Sequence, residues 1–443
     1  MTRRLFYFHP RSRAIRRDFP VAVLALASIT RLAALSAVNP GHTLYSDMAR
    51  YDEVALRLQH GIRTAGDTFF PVGYPALLGL VYAIGGRDFV FVGTVQALFG
   101  VLTCLLVYDL ALRIGRSRVL AFIAGGLAAL YPPFLLYGSL LLTEAVAPFW
   151  CTLTMCLLCR AQDASDRFQT LIWSALTGIS LSITVVTRPN LLLLFPVIAL
   201  LPLAAAQRNV WSWMRPLTIV GFALPLVIVV CVNNSRLLGR PAGISTNGGM
   251  NFFLMQMDVY RLYTPDAAWS PPRNNFRYSL AFRSNALSTD EAFYYREGMN
   301  AFLNRSDKVR HTIENVREGF GLELQGYWPA NRDLTDDRFE YPAARRILRW
   351  CSRGFVWVLV VPVWIYAVIG WRVMDQATAA WWTLACSLTV ILIVTFAVFL
   401  ADPRIHIPFD PILIAFSTNA CVRLPAAGAA LLRRPLRDRK SAQ

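Results

Sequence analysis

The apolar positions of this chain fall in long, almost unbroken runs rather than in alternating patterns or narrow helical stripes. Runs that meet the roughly 17–25 residues needed to cross a bilayer lie at 20–38, 89–112, 118–137, 139–159, 169–187, 189–206, 215–233, 353–371, 378–400 and 404–422. They predict an all-α polytopic membrane protein of about ten transmembrane helices. A further run at 72–86 (VGYPALLGLVYAIGG) is too short to span and is expected as a juxtamembrane or re-entrant helix. Two polar stretches, 39–88 and 234–352, are long enough to call for a function. In the first, Met48, Tyr51, Ala55, Leu58 and Ile62 recur at helical spacing and predict a helix lying flat at the interface. The second opens with the Gly/Asn-rich STNGGMNFF (245–253), read as a turn near the site or over an acceptor cleft, and has a helical, charged stretch from Asp290 to about Glu318. It is expected to be a small outer-face subdomain.

Charge turns these runs into a topology. The net charge of +17 would suggest nucleic acid in a soluble protein, but 55% of the residues are hydrophobic and the arginines sit in short connections. No nucleic-acid partner is expected. With the basic N-terminus MTRRLFYFHPRSRAIRRDF kept as a cytoplasmic arm, Arg113, Arg116, Arg118, Arg160, Arg167, Arg208, Arg215 and Arg372 all fall inside, and so does the C-terminal RRPLRDRK. The expected units are 1–233, containing seven helices and the first outer loop, the outer segment 234–352, and 353–443 with three helices and a basic tail. The eight cysteines lie in or beside apolar runs, so no disulfide framework follows, and the Cys156/Cys159 pair reads as packing or lipid-facing thiols.

With this topology the polar residues at helix ends gather on the outer side. Asp47 follows the first span and Glu144 opens the fourth; Arg188 and Asn190 join the fifth to the sixth; Asp402, Arg404 and His406 open the tenth. Polar groups at membrane depth are costly unless paired or facing a cavity, so the cluster points to an outward-facing aqueous site. Asp410, a turn and a half into the last span, requires a partner, which Arg404 or an arginine of another helix would supply.

The stretch Asp47-Met48-Ala49-Arg50-Tyr51-Asp52-Glu53, followed by FFPVGYPALLGLVYAIGG (69–86), resembles the first outer loop of GT-C membrane glycosyltransferases. Within that class it is most similar to the bacterial lipid A aminoarabinose transferases and the protein O-mannosyltransferases. LLLTEAVAPF (140–149), TRPNLLLLFP (187–196), ISTNGGMNFF (244–253) and RIHIPFDPIL (404–413) follow in the family's order. The resemblance implies a GT-C-like module of seven helices with juxtamembrane helices in the first outer loop, a polyprenyl-phosphate-linked sugar donor, Asp47 as the acid at the catalytic centre, and Arg50 on the donor phosphate. Two departures stand out. Phe70 precedes Pro71 where the aminoarabinose transferases carry a lysine, so phosphate binding must be arranged differently. Met48 follows Asp47 where the mannosyltransferases carry a second acid.

These residues can supply what sugar transfer from a lipid phosphate requires. Asp47 would take the acceptor proton, giving inversion, and Arg50, Arg188 and Arg404 would hold the phosphate. Tyr51, Tyr74, Glu144, Asn190 and His406 complete the candidates, as residues that touch the sugar or support those that do. No metal site is assigned; a divalent ion on Asp47, His42 and His406 stays open as a cofactor, without metal-site spacing. The acceptor would be a lipid, a glycan or a protein, and the location a bacterial cytoplasmic membrane. A transporter or flippase is the rival class, disfavoured because the charges lie at one face and the halves do not repeat. A ligase or polymerase using a pyrophosphate-linked glycan is a second rival. The topology makes a direct prediction: tags at residues 1 and 443 both report from the cytoplasm, and cysteines placed near Asp67 and Asn274 label from outside. Termini on opposite sides would break the span count.

Overall fold

The computed structural model describes residues 18–38, 44, 47–198, 210–256, 290–322, 342–370, 374 and 376–440. Among them the chain is helical, with no strand. The arginine-rich N-terminal arm, His42 and the end of the sixth predicted span lie outside the described residues.

Helix α1 (Phe19–Ala37) buries a single stripe, Val23, Ala27 and Arg31, and leaves Val21, Leu24, Ile29 and Leu32 exposed. That division suits a helix with lipid on most of its circumference. The first outer loop folds as two helices, α2 (Asp47–Gln59) and α3 (Gly73–Gly85). Thirteen residues make α3 about 20 Å long, well short of a span, as its run length predicts. The stripe on α2 is turned onto protein: Met48, Tyr51 and Ala55 are buried, and the Cβ position of Gly79 on α3 lies 3.1 Å from the Ala55 carbonyl oxygen. Ile62 falls beyond the end of α2 and is 54% exposed.

Two long spans follow the loop, with a broken one between them. Helix α4 (Phe89–Gly115) is continuous, whereas the third predicted run splits into α5 (Arg118–Leu130) and α6 (Pro132–Gly138), bent by 49°. Pro132 and Pro133 cause the break, because neither has the N–H that would continue the ladder. The fourth predicted run, 139–159, becomes helical only at α7 (Ala147–Asp163), which is 17 residues long. Residues 139–146 are a buried irregular stretch with one 3-10 turn at Thr143–Ala145. Helix α8 (Arg167–Thr187) runs to Arg188, and a 3-10 turn at Pro189–Leu193 opens the short apolar segment Pro189–Ile198. Helix α9 (Val210–Leu238) packs along α8 despite two internal prolines.

The outer segment holds α10 (Asn247–Gln256), α11 (Glu291–Asn304) and α12 (Lys308–Gly319). The predicted Gly-rich turn is the first turn of α10. Gly249 lets α10 approach α11, since a Cβ there would lie 2.5 Å from the Glu291 carbonyl oxygen, so its glycines serve helix packing rather than a cleft. The chain ends with α13 (Pro342–Phe355), continued through a π-turn at Val356–Val360 into α14 (Val361–Gly370), then α15 (Gln376–Val398) and α16 (Asp410–Lys440). Six described helices are long and apolar enough to cross a membrane, or seven if the bent pair counts as one span, against the ten expected. The difference lies at the shortened fourth run, the sixth run described only to Ile198, and the tenth run, which opens as a 3-10 turn before α16. Cys156 and Cys159 are buried inside the bundle as packing thiols, not lipid-facing ones.

Two locks fix the outer loop, one within it and one against the bundle. Asp52, 4% exposed, accepts from the Tyr82 hydroxyl at 2.6 Å and from Arg87 Nη2 at 2.6 Å, which joins α2 to α3 and to the turn beyond it. Gly73 sets α3 on the end of α8: a Cβ there would lie 2.6 Å from Thr187 Oγ1 and 2.8 Å from the Thr187 nitrogen. Gly73→Val is therefore expected to destabilise the protein by about 1–3 kcal/mol, the usual range for forced overpacking, and to disturb the adjacent Arg188. The midpoint of thermal unfolding in detergent measures this; a variant as stable as the wild type would remove the close approach.

Candidate active site

Four of the predicted site residues come together at one end of the helix bundle. Asp47 opens α2, where the free N–H groups of a first turn favour an acid. Arg404 stands in the 3-10 turn Pro403–His406, which Asp402 caps by accepting from the Arg404 backbone N–H at 2.9 Å. Its guanidinium then reaches three carboxylates: Asp402 Oδ2 at 3.1 Å, Asp47 Oδ2 at 3.3 Å and Glu144 Oε1 at 3.8 Å. Glu144 Oε1 also lies 3.0 Å from Arg188 Nη1. The result is a ladder, Asp47–Arg404–Glu144–Arg188, with Asp402 at its side. Glu144 and Arg188 are buried, while Asp47 keeps 24% of its side chain exposed and so lies at the open end.

Electrostatics differ along the ladder. Burial alone would raise the Glu144 carboxyl, but the Arg188 and Arg404 guanidiniums outweigh it and hold the group below the ordinary carboxylate value. Asp402 is raised, because burial outweighs the pull of Arg404. The Tyr51 phenol is raised well above its usual value by burial, with Asp47 and Glu144 adding to the effect, so it remains a hydrogen-bond donor. The Tyr51 ring packs edge-on against Tyr74, whose hydroxyl donates to Gln96 Oε1 at 2.6 Å. Tyr74 thus supports the floor of the site.

The remaining candidates sit elsewhere. Arg50, one turn along α2 from Asp47, pairs with Glu53 at 2.9 Å and lies 3.9 Å from Asp67. Asp67 is itself engaged by Arg57. Asn190 sits in the turn after Arg188 with its Nδ2 buried and unsatisfied. His406 is fully buried: its ring stacks on Phe355 with centroids 3.6 Å apart, and Nδ1 lies 2.7 Å from Asp410 Oδ1. The partner of Asp410 is therefore His406, one helical turn away, and not Arg404. Asp402 and the Asp52 lock carry no assigned role in the sequence reading. Among the described residues no group of three or more His, Cys, Asp or Glu could hold a metal ion. The carboxylates of Asp47, Glu144 and Asp402 are each engaged by a guanidinium, so as arranged they do not fit a cation.

Comparison with solved structures places this arrangement in a known frame. The archaeal oligosaccharyltransferase AglB from Archaeoglobus fulgidus, in complex with an inhibitory peptide and a dolichol-phosphate, superposes over 96% of this chain with a TM-score of 0.54 at 12% identity. The apo form of the Archaeoglobus fulgidus oligosaccharyltransferase gives 0.56 at 14% identity over the same share. The chain has a GT-C fold. It spans 52% of the length of those oligosaccharyltransferase chains. ArnT from Cupriavidus metallidurans bound to undecaprenyl phosphate covers 93% of this chain and is itself covered over 79%, at 13% identity, with a TM-score of 0.42 that is too low to carry weight. The family model described as dolichyl-phosphate-mannose-protein mannosyltransferase matches residues 77–234. That segment of the GT-C chain includes Glu144 and Arg188 but neither Asp47 nor Arg404. No curated protein sequence matches the chain.

The ladder has a measurable signature. A carboxyl with a depressed folded pKa contributes stability that is present above its unfolded value of about 4.3 and is lost as the pH falls through the folded value. Glu144 is such a group. Glu144→Gln is expected to cost about 3 kcal/mol at neutral pH, since it leaves Arg188 buried without its partner, and to flatten the loss of stability below about pH 4. Unfolding midpoints in detergent across that range test it; the same acid dependence in both proteins would remove Glu144 from the ladder.

Proposed function

We propose that this protein transfers a sugar from a polyprenyl-phosphate donor to an acceptor hydroxyl at the outer face of the membrane, with inversion at the anomeric carbon. The convergence of Asp47, Glu144, Arg188 and Arg404, from four separated stretches of chain, onto one partly open ladder supports this reading. A bacterial cytoplasmic membrane with both termini inside fits the charge pattern.

In the transfer step the acceptor oxygen attacks the anomeric carbon from the face opposite the phosphate. The bond from that carbon to the phosphate oxygen breaks, its electron pair leaves on the lipid phosphate, and the acceptor proton passes to Asp47. Arg404 and Arg188 receive the growing phosphate charge; guanidinium pairs with phosphate oxygens in bidentate fashion and stays charged at any working pH. In the ligand-free site the Arg404 guanidinium lies 3.3 Å from Asp47 Oδ2. A donor phosphate competes for the same guanidinium and draws it off Asp47, so donor binding prepares the base. Arg50 can reach the phosphate only by releasing Glu53. Tyr51 and Asn190 would offer hydrogen bonds to the sugar, and the acceptor would be a lipid, glycan or protein hydroxyl.

Asp47→Asn decides between two roles. If Asp47 only starts α2, asparagine caps nearly as well and the change is almost silent. As the base, Asp47 contributes roughly 100- to 10,000-fold, so the purified variant is expected to bind donor lipid and fold normally while turnover collapses. Transfer by Asp47→Asn above about a tenth of the wild-type rate would be inconsistent with that contribution.

A further inference from the structure

Arg31 lies two-thirds of the way along α1 and is 4% exposed, inside a helix whose other faces are apolar. An arginine at such depth requires a reason, and the broken third span supplies one. In a helix each carbonyl accepts from the N–H four residues on, so Pro132 and Pro133 leave the carbonyls of Ala128 and Ala129 without donors. Those are the two carbonyls that Arg31 takes: Nη1 donates to Ala129 O at 3.2 Å and Nη2 to Ala128 O at 3.4 Å. The Thr30 hydroxyl also lies 3.0 Å from Ala129 O. The negative end of the α5 dipole adds a favourable field for the guanidinium. Gly100 of α4 leaves the space, because a Cβ there would lie 2.5 Å from Arg31 Nε.

The other end of α6 is held in the same manner. Gln96 Nε2 donates to Gly138 O at 3.2 Å and to Leu140 O at 3.0 Å, and Tyr74 fixes the Gln96 amide through its hydroxyl. Helix α6 is only seven residues long and cannot hold its own orientation. The stretch that follows it carries Glu144, the acid between Arg188 and Arg404.

We propose that Thr30 and Arg31 at one end of α6, and Gln96 with Tyr74 at the other, form a clamp that positions Glu144, and that Arg31 and Gln96 act on transfer through that carboxylate, with which they line one cavity. The clamp itself is a statement about structure, and its effect on turnover rests on the transfer reaction proposed above.

The experiment compares wild type, Arg31→Met, and Arg31→Met combined with Pro132→Ala and Pro133→Ala, by backbone hydrogen exchange and by turnover. Exchange at residues 139–146 is expected to quicken about tenfold or more in Arg31→Met. It should return toward the wild-type rate in the triple variant, where the restored N–H groups satisfy the two carbonyls. Gly100→Ala, which displaces the guanidinium without removing it, should reproduce the faster exchange and serves if Arg31→Met does not fold. Turnover should fall about tenfold in Arg31→Met, yet by less than about twofold when the change is made in Glu144→Gln, because both act through one group. Unchanged exchange at 139–146, or no recovery with the alanines, overturns the clamp. Losses that multiply in the Glu144→Gln background overturn its action through Glu144. If the wild type transfers no sugar, the proposed function falls while the exchange comparison still decides the clamp.

Discussion

Everything at the outer end of the bundle depends on Arg404 being held among three carboxylates. Its guanidinium is mostly buried, with Asp402, Asp47 and Glu144 as its partners. A buried charge that loses its partner costs several kcal/mol, so these acids must be delivered to their places accurately. Each arrives by its own route. The Asp52–Tyr82–Arg87 lock fixes α2 and with it Asp47; the Gly73 contact seats α3 on the turn that carries Arg188; a capped 3-10 turn presents Arg404 itself. Glu144 comes last, on a stretch whose regular hydrogen bonding is limited to one 3-10 turn.

The long spans are legible in the sequence because a run of apolar residues matched to the bilayer is a property of the chain alone. That Asp47, Glu144, Arg188 and Arg404 lie at one end of the bundle is legible too, since each stands at the end of an apolar run. The irregular stretch at 139–146 is not legible, because LLLTEAVAPF is as apolar as the helices around it. What keeps it from continuing a helix is tertiary: Gln96 claims the carbonyls of Gly138 and Leu140. Arg31 stands inside the run 20–38 and Pro132-Pro133 inside the run 118–137, which run length alone reads as unbroken spans, and nothing in the chain order joins the two. Charge alone pairs Asp410 with an arginine, whereas the four-residue spacing to His406 gives the partner found.

The ladder also constrains what it can bind. Two guanidiniums face three carboxylates, so with every group ionised the empty site holds one negative charge in excess. A donor linked through a phosphodiester would bring another. Charge of that sign in a partly dry site is strongly unfavourable, and two neighbouring groups can relieve it. Burial raises Asp402, the direction that favours uptake of a proton and so a smaller excess. Arg50, on the same helix as Asp47 and held only by the exposed Glu53 and by Asp67, whose main partner is Arg57, is the cation that can join when the phosphate arrives. Turned inward, Arg50 offsets the charge that the phosphodiester brings. The ion pair that the phosphate must compete with is then the one between Arg404 and Asp47, because it lies at the open end of the ladder, where Asp47 keeps 24% of its side chain exposed.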